Sequence, residues 1–479
     1  METLLETAFP IPADLRELVL HVLPRCYFVG GCVRDFLLGH LPKDLDVEVY
    51  GQDYETLAGT LRRFGQVDLV GKSFGVIKLT TRRGQEAYDI SIARRETRLA
   101  GQAGHKAFEV HHDLDLTPRD GAERRDFTLN ALMVDPKTNT LLDFFGGRED
   151  LAAGVLRHTS AKFAEDPLRP LRLMQFAGRF DMAAAPETLA LCRQMRDEYR
   201  SLPVERVKEE WFKWATRSKN PARGLDVLAQ TGWVELYPEL AAMLHTVQDP
   251  IWHPEGATED GTTSRPDSLW LHVKHCCNAL ADLPQWQALG KEDRAVYMLA
   301  VLCHDLGKPT TTHEEFKRGR LCIVSPGHEV AGGAPAERFL RSVGMTQSLI
   351  ERVRPLVENH MAHMQQGGAT MVRRLARRVA PDNIQGLSLV MIADHSGRPP
   401  LPRQTPEGVT RLLAMAGELA VQDAAPKALL MGRHLLEAGV RPSPEVGRIV
   451  KEAYERQLDG EFDTVEGALA WYHNRTSQD

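Results

Sequence analysis

The hydrophobic and polar pattern is most distinctive in residues 27–50, YFVGGCVRDFLLGHLPKDLDVEVY. A short apolar run leads into Gly30-Gly31, which predicts a strand followed by a tight turn. The next segment, CVRDFLLG, predicts one or two helical turns that end at Gly39. The segment therefore begins as a strand, a turn and a short helix.

The segment DLDVEVY alternates polar and apolar residues, which predicts a strand with Asp44, Asp46 and Glu48 on one face. Two carboxylates two residues apart point the same way and can bridge a pair of divalent cations, as phosphoryl transfer requires. The backbone N–H groups of a glycine turn before a helix suit a phosphate chain. Asp-X-Asp alone also fits a solvated edge strand, but the nearby Gly-Gly and Arg34-Asp35 favour phosphate and metal binding.

Helical and strand patterns alternate over the following residues. YETLAGTLRRFG predicts a helix, and FGVIKLTT and EAYDISIA predict strands. Asp89 faces away from the apolar side of the second strand, as either a third carboxylate of the metal site or an exposed residue. The polar, glycine-containing residues 94–118 have no clear period and predict a long mobile loop, which is either functional or disordered.

Two later pairs of side chains suit nucleotide chemistry. Arg124 and Arg125 have the guanidinium geometry that matches triphosphate oxygens, although such a pair is also common as surface charge. Asp166 and Arg169 are three residues apart and are predicted neighbours on a helix face. Together they match the pairing edge of cytosine or adenine, which U and G do not offer.

The start of that helix has a second interpretation. Asp166 also fits an N-cap, with Pro167 at the first helical position. Pro170 removes another N–H donor, so the helix either starts late or bends there. Farther along, Glu205, Arg206 and Glu210 are either a solvated helix face or a brace for the Asp166–Arg169 pair.

Composition limits the class of protein. The chain has 43% hydrophobic and 26% charged residues and a net charge of −6, so nucleic-acid contacts need local basic patches such as residues 119–125 and 373–378. The seven cysteines show no CxxC spacing and indicate a reduced, cytoplasmic chain. The first residues lack signal-peptide features, and no apolar run approaches the roughly 20 residues of a membrane span.

In order along the chain, GGCVRDFLLG with DLD, RRDFTLNAL, EDPLR and VERVKEE resemble the motifs of the tRNA nucleotidyltransferase (CCA-adding) and bacterial poly(A) polymerase family, in its eubacterial class. The resemblance covers about the first half of the chain and implies Mg²⁺ on catalytic Asp44 and Asp46. It implies a bracing helix with Glu205 and Arg206. The residues that it assigns to nucleotide binding are Gly30, Gly31, Arg34, Asp35, Arg124, Arg125, Asp126, Asn130, Glu165, Asp166, Arg169 and Arg172.

A second set of candidates follows a change in composition after residue 245. His304-Asp305 ends an apolar helix, and further imidazoles and carboxylates follow on helical segments, a set suited to a transition-metal hydrolase. The alternative is a helical spacer with relict histidines. The pattern resembles the HD phosphohydrolase superfamily, which implies a divalent transition metal and the ligands His272, His304, Asp305 and Asp394, with His328 and His360 helping to hold a second ion. His275, His363 and His395 compete for these roles.

These patterns and resemblances imply an α+β chain with a polymerase-β-like nucleotidyltransferase head (residues 1–147). A helical neck and body (148–245), a helical HD domain (246–400) and a helical tail that contacts tRNA (401–479) follow, the tail with a helix–turn–helix pattern. The implied enzyme adds CCA from CTP and ATP to tRNA 3′ ends without a template and also hydrolyses 2′,3′-cyclic phosphates and phosphomonoesters. The alternatives are CC-only, A-only or poly(A) addition, a phosphohydrolase with an RNA-binding head, and a non-catalytic RNA-binding protein.

Overall fold

The computed structural model describes residues 2–69, 75–84, 86–93, 95–98, 108–111, 114–317, 319–365 and 367–476. The chain divides into two compact units. The first comprises Met1–Glu210 and Arg223–Trp233, and the second comprises Trp211–Ala222 and Val234–Asp479. This division is coarser than the four predicted segments, whose boundaries stay predictions.

The strands of the first unit are β1 (Glu2–Leu4), β2 (Arg25–Val29), β3 (Asp46–Tyr50), β4 (Gly65–Asp68), β5 (Val76–Thr81), β6 (Ala87–Ile92), β7 (Arg95–Arg98), β8 (Phe108–His111), β9 (Met133–Asp135), β10 (Thr140–Leu142), β11 (Val155–Leu156) and β12 (Ala183–Ala184). Eight of them form one sheet in the order β1-β10-β9-β2-β3-β6-β5-β4. Within it β3 and β6 are parallel, and the other neighbours are antiparallel.

The two faces of β3 differ as its alternation predicts. Val47 and Val49 are buried in a core that includes Ile90 of β6 and Phe28 of β2. Asp46 and Glu48 lie on the opposite face, where a strand places every second residue. The predicted strand therefore forms, although it begins at Asp46 and not at Asp44.

The helices that begin in the first unit are α1 (Ala13–Glu17), α2 (Gly31–Leu37), α3 (Tyr54–Leu61), α4 (Pro118–Glu123), α5 (Gly147–Ala153), α6 (Arg169–Phe180), α7 (Pro186–Gln194) and α8 (Val204–Arg217). Helix α9 (Pro221–Thr231) begins in the second unit and continues into the first. A π-helical turn, Leu18–Val22, extends α1, and 3-10 turns include Thr128–Asn130 and Ala161–Glu165.

Two predictions for this unit were wrong. Asp166 does not cap α6: the helix begins at Arg169 after Leu168, with Pro170 in its first turn, because proline is tolerated only where its missing N–H has no helical partner. The segment 94–118 is not simply a loop, because β7 and β8 form an antiparallel ribbon and α4 begins at Pro118. Its residues 94, 99–107 and 112–113 lie outside the described residues.

The second unit is mainly helical. Its helices are α10 (Pro238–Ala241), α11 (Ser268–Ala281), α12 (Pro284–Gln287), α13 (Lys291–Cys303), α14 (Lys308–Thr311), α15 (His328–Ala331), α16 (Gly333–Ser342), α17 (Gln347–Asn359), α18 (Ala369–Arg378), α19 (Ile384–Ser396), α20 (Glu407–Glu418), α21 (Gly432–Glu437), α22 (Pro444–Asp459) and α23 (Val465–Thr476). Two strands, β13 (His313–Lys317) and β14 (Arg320–Val324), form a hairpin.

The interior of the second unit contains α13, every residue of which from Ala295 to Cys303 is buried. Helices α11, α17 and α19 pack against it. The predicted helices of this unit and the helix–turn–helix pattern of the tail, now α21 and α22, are confirmed. Among the helices of the described residues, none has both the length and the apolar character needed to cross a bilayer.

Phe28 tests the core of the first unit. It is fully buried on β2 and stacks on Phe9 with ring centroids 4.7 Å apart. Phe28→Ala removes this contact and leaves a cavity, so we expect a loss of about 3–5 kcal/mol in the free energy of unfolding of this unit, measured by denaturant titration. The control Leu41→Ala changes a side chain that is 79% exposed and should cost less than about 0.5 kcal/mol.

Candidate functional site

Three carboxylates gather where β2, β3 and β6 meet. Asp46 is the first residue of β3, and its register partner in the parallel strand β6 is Asp89. Asp44 lies two residues before Asp46, exposed in a bend outside the strand. The predicted pair is therefore one strand residue and one loop residue, and Asp89 lies on the same face as Asp46.

The negative charges of this cluster favour the binding of a cation. Burial raises the pKa of Asp46 to about 6; Arg125 opposes that shift, and the charges of Asp89 and Asp44 add to it. Lys78 forms an ion pair with Asp89 at 2.9 Å. Carboxylate oxygens that repel one another in this way suit a hard divalent cation such as Mg²⁺.

Gly30 shapes the turn between β2 and α2. Its φ of 73° lies in the region that favours glycine, and a Cβ there would lie 2.7 Å from Arg125 Nη1. Since Phe28 pairs with Val47 across β2 and β3, this turn lies at the same edge as Asp46. Gly30 thus allows Arg125 to lie against the turn beside the carboxylates.

Glu48 anchors both predicted arginines. Its buried carboxylate accepts hydrogen bonds from Arg124 Nη2 and Arg125 Nη2, each at 3.0 Å, and from Tyr50 Oη at 2.6 Å. Burial alone would raise the pKa of Glu48, but the two guanidinium groups outweigh it and lower that pKa. The alternation of β3 predicts the face on which Glu48 lies but not this role. The available signal was an acidic residue within a strand of buried residues.

A chain of hydrogen bonds joins α2 to α6. Arg34 binds Asp35 Oδ1 through Nε and Nη2 at 2.8 and 2.6 Å, and its Nη1 donates to Asn130 Oδ1 at 2.7 Å. Asn130 Nδ2 donates to Asp126 Oδ1 at 2.8 Å, and Arg172 Nε donates to Asp126 Oδ2 at 2.8 Å. The structure therefore brings these five predicted residues together as one network.

Asp166 and Arg169 are close together but do not share a helix face, contrary to the prediction. Arg206 of α8 forms a bidentate pair with the Asp166 carboxylate at 3.0 and 3.3 Å. Arg169 donates to the carbonyl oxygens of Lys162 and Arg124 at 2.7 and 2.6 Å.

The brace prediction for α8 concerns its first two turns. The Arg206 contact with Asp166 is what a brace requires. Glu205 is exposed beside it, whereas Glu210 is buried with an oxygen 3.9 Å from Arg172 Nη1. Glu165 ends the 3-10 turn before Asp166 and is half-buried.

In the second unit, all six predicted HD residues converge. His272 comes from α11, His304 and Asp305 follow α13, His328 begins α15, His360 follows α17 and Asp394 lies in α19. Three donor groups have all their ligand atoms within 4.8 Å of one another. They are His272, Cys276, His304 and Asp394; Asp305, His328 and His360; and His253, Glu255 and His272. Among the described residues, the competing candidates His275, His363 and His395 belong to no such group.

Asp305 lies between the first two groups. Its Oδ2 is 3.1 Å from His304 Nε2 and 3.7 Å from His272 Nε2, and its Oδ1 is 3.2 Å from His328 Nε2. On the other side, Asp394 Oδ1 is 3.1 Å from His272 Nε2. Asp305 is therefore placed to bridge two cations.

The imidazole rings face the centre with their unprotonated nitrogens. His304, His328 and His360 each place Nδ1 2.7 Å from the carbonyl oxygen three residues earlier. Because a carbonyl oxygen only accepts, Nδ1 carries a proton, and in the neutral imidazole Nε2 then keeps its lone pair. His328 Nε2 and His360 Nε2 nevertheless lie 3.3 Å apart, an arrangement that fits a cation between them.

Two neighbours of this centre were missed from the sequence. Glu255 Oε1 lies 2.9 Å from His272 Nδ1 and 3.0 Å from His253 Nδ1, so it directs His272 Nε2 inward. Lys308 Nζ lies 2.8 Å from Asp305 Oδ2 and 2.6 Å from Gln248 Oε1. His253-Pro-Glu255 lies in a segment interpreted as a loop, where spacing alone does not indicate a contact with α11.

Comparisons with known proteins agree with this geometry. Residues 26–157 match the poly A polymerase head domain, residues 181–244 the "probable RNA and SrmB- binding site of polymerase A", and residues 272–398 the HD domain. A multifunctional CCA protein of Neisseria meningitidis serogroup A is 33% identical over 381 residues, which cover 78% of this chain and 82% of that protein.

Two solved structures are similar in fold. The Bacillus stearothermophilus CCA-adding enzyme in complex with CTP has a TM-score of 0.63 and 20% identity, covering 98% of this chain and 99% of that one. The Thermotoga maritima CCA-adding enzyme complexed with tRNA has a TM-score of 0.54 and 20% identity, covering 93% of this chain and 91% of that one. At this identity the likeness concerns the fold.

The Asp126 network generates a prediction about pH. Burial raises the pKa of Asp126, but Arg172, Asn130 and Arg169 outweigh it and lower that pKa to about 2, against about 3.9 in the unfolded chain. Asp126→Asn should therefore cost about 2 kcal/mol of unfolding free energy at pH 7.

The sign follows from the lowered pKa. The carboxylate's contribution is complete above about pH 4 and is lost as the pH falls toward about 2, so the difference in stability between wild type and variant should shrink over that range. Thermal unfolding from pH 7 downward measures it. A difference that stays constant with pH would contradict the assignment.

Proposed function

The chain belongs to the family of multifunctional CCA proteins with a poly A polymerase head, and from that premise we propose that its first unit adds C, C and A to tRNA 3′ ends from CTP and ATP without a nucleic-acid template. The observation that carries this proposal is the carboxylate cluster of Asp44, Asp46 and Asp89 beside the Gly30 turn.

In the proposed reaction, the 3′-hydroxyl of tRNA attacks the α-phosphate of the nucleotide and pyrophosphate leaves. Asp44 and Asp46 would hold Mg²⁺, which would supply activation of the hydroxyl and neutralisation of the leaving group. Asp89 lies beside Asp46 and serves as a third carboxylate. With the ions supplying activation, no protein base is required.

The arginines orient the triphosphate in this proposal. Arg125 is fixed by Glu48 through Nη2, and its buried Nε has no hydrogen-bond partner among the described residues. A guanidinium group has five N–H donors, so donors remain for phosphate oxygens. Gly30 leaves the space in which the Arg125 guanidinium group approaches the turn.

Asp166 and Arg169 select the base. Asp166 and Arg169 are half-buried and therefore accessible, and each retains hydrogen-bonding capacity beyond the contacts described. Arg124 links them to the carboxylates, because its carbonyl oxygen accepts from Arg169 while its side chain binds Glu48. Movement of the base-reading pair is therefore coupled to the strand that carries Asp46.

The second unit adds a phosphohydrolase activity to the proposal, supported by the converging Nε2 atoms and the bridging position of Asp305. Divalent transition-metal ions there would supply a nucleophilic hydroxide and polarise the phosphate. Glu255 orients His272, and Lys308 provides a cation beside Asp305 for an incoming phosphate group, as in a 2′,3′-cyclic phosphate or a phosphomonoester. The seven free cysteines support a cytoplasmic location.

Primer extension measures nucleotide addition, and a parallel phosphate-ester hydrolysis assay measures the second activity, so the two are tested separately. We expect Asp46→Asn to lower nucleotide incorporation by about 10³-fold or more, because it weakens cation binding, while phosphate-ester hydrolysis continues. Asp305→Asn should have the reverse effect. The control Asp53→Asn changes an exposed N-cap of α3, where asparagine caps as well as aspartate.

The same assay separates the alternatives. tRNAs lacking the last one, two or three nucleotides are offered CTP or ATP singly, and the products are sequenced. Addition that stops after two C residues, adds only A or continues as poly(A) identifies a narrower enzyme of the same family. A wild type that hydrolyses phosphate esters but adds no nucleotide would instead favour a phosphohydrolase with an RNA-binding head.

Arg206 tests base selection. Arg206→Ala frees the Asp166 carboxylate, so the preference for CTP and ATP over UTP and GTP, measured as the ratio of kcat/KM values, should fall by about 10²-fold. The control Arg217→Ala removes an exposed arginine of the same helix and should leave the ratio unchanged. An unchanged ratio for Arg206→Ala would remove Asp166 from base selection.

A further inference from the structure

Exposed aromatic side chains are rare in this protein. Among the phenylalanine, tyrosine and tryptophan side chains that the structure describes, only Trp252 and Phe316 are exposed, at 56% and 73%. Exposed aliphatic side chains accompany both of them: Ile251 precedes Trp252, and Leu321 is the cross-strand partner of Phe316 in the hairpin of β13 and β14. Apolar side chains that are grouped in contact with water indicate a binding surface.

A buried aspartate joins the two segments that carry these side chains. Asp249 accepts hydrogen bonds from Arg320 Nη1 and Nη2 at 2.8 and 2.9 Å, and from the backbone N–H of Ile323 at 3.2 Å. The carbonyl oxygen of Asp249 accepts from the backbone N–H of Trp252 at 3.1 Å. The hairpin is therefore held against the turn that contains Ile251 and Trp252.

The turn that contains Trp252 contacts the HD metal centre on both of its sides. Before it, Gln248 Oε1 accepts a hydrogen bond at 2.6 Å from Lys308 Nζ, the cation beside the bridging carboxylate. After it, the ring centroid of His253 lies 4.6 Å from that of His272. Trp252 is therefore fixed between two contacts with the centre, although its own side chain is exposed.

The hairpin begins and ends at the same centre. Thr312 Oγ1 and Ser325 Oγ lie 2.7 Å apart at its base, and the carbonyl oxygen of Ser325 accepts from His328 Nδ1 at 2.7 Å. Phe316 is four residues along β13 from Thr312, or about 13 Å at the rise of a strand. At about 3.4 Å or more per nucleotide, no more than about four nucleotides of RNA are needed to span that distance.

The metal centre is open on the side of these two segments. The side chains of His272, His304, Asp305 and His360 are at most 1% exposed, whereas those of His253, His328, Lys308 and Asp394 are 9–17% exposed. His253 follows Trp252 directly, and His328 and Lys308 flank the hairpin. A phosphate group that enters here leaves its nucleoside outside, beside the aromatic side chains.

We propose that Trp252 and Phe316, with Ile251 and Leu321, form a stacking surface for the unpaired bases at the 3′ end of an RNA strand whose terminal phosphate is hydrolysed at the HD metal centre. This inference rests on the proposed phosphohydrolase activity. For a 2′,3′-cyclic phosphate, water adds to phosphorus, one P–O bond of the ring breaks, and the freed ribose oxygen takes the proton.

Continuity with a centre for phosphate esters makes nucleic acid, and not protein, the occupant of this surface. Aromatic rings stack on every base, so the surface selects a single strand without selecting its sequence. An RNA end with several bases can use both rings, whereas a mononucleotide offers only one base. The inferred substrate of the second unit is therefore an unpaired RNA end in preference to a free mononucleotide.

Hydrolysis of three esters by the full chain tests this surface. They are a tetranucleotide that ends in a 2′,3′-cyclic phosphate, adenosine 2′,3′-cyclic phosphate, and glycerol 2-phosphate, which has no base. We expect wild type to have a kcat/KM about 10-fold higher for the tetranucleotide than for the adenosine ester. Trp252→Ala and Phe316→Ala should each raise the KM for the tetranucleotide about 10-fold with little change in kcat, because stacking binds substrate and transition state alike.

The controls separate stacking from a structural role. Trp252→Phe and Phe316→Tyr keep an aromatic ring and should keep the low KM. Met364→Ala removes a side chain of the second unit that is 68% exposed outside the two segments and should change no constant. Hydrolysis of glycerol 2-phosphate should be the same in wild type and in every variant, because this ester has no base to stack.

Two results would overturn the inference, and they differ in what they leave standing. If both alanine variants hydrolyse the tetranucleotide with the wild-type KM, the stacking surface is wrong, the phosphohydrolase activity stands, and the exposed aromatic side chains point to a protein contact. If wild type hydrolyses none of the three esters, the proposed phosphohydrolase activity is wrong and this inference is wrong with it.

Discussion

The stability of the first unit depends on the neutralisation of its buried carboxylates. An uncompensated buried charge costs several kcal/mol, so each such group needs a cation at hydrogen-bonding distance. Glu48 meets this need with Arg124 and Arg125, and Asp126 meets it with Arg172. These pairs fix the same guanidinium groups that are proposed to bind the nucleotide, so stability and the proposed orientation of the substrate depend on the same contacts.

Asp46 shows the opposite balance only two residues before Glu48 on the same face. Glu48 is bound by two arginines and its pKa is lowered, whereas burial and two neighbouring carboxylates raise the pKa of Asp46 to about 6. The same strand therefore carries one carboxylate that the protein neutralises with its own arginines and another that it leaves only partly neutralised. Asp46, the carboxylate without such partners, is the first residue of β3. This difference in compensation distinguishes a structural acid from a candidate metal ligand.

The sequence predicts the elements well where periodicity is strong, as in β3 and α13, because alternation and helical spacing follow directly from backbone geometry. From the chemistry of the side chains it also predicts candidate metal ligands, six of which the second unit brings together. It does not predict partners supplied by distant segments: the Arg206–Asp166 pair spans 40 residues, and Glu255 reaches α11 from an irregular segment. Pro170 indicated that α6 could start late. That Asp166 then lies outside the helix depends on the preceding 3-10 turn, which the sequence pattern did not predict.

In the second unit, helix ends orient the imidazole rings of the candidate metal centre. The last carbonyl oxygens of a helix have no N–H partner within it and must be satisfied from outside. His304 and His360 immediately follow α13 and α17, and each ring donates Nδ1–H to a carbonyl of the last helical turn, Val301 and Val357. The same bond satisfies the helix end, fixes the tautomer and turns Nε2 toward Asp305. A His-Asp pair at the end of a helix is thus more informative than a histidine in its middle, because only the end offers an unpaired carbonyl that aims the ring.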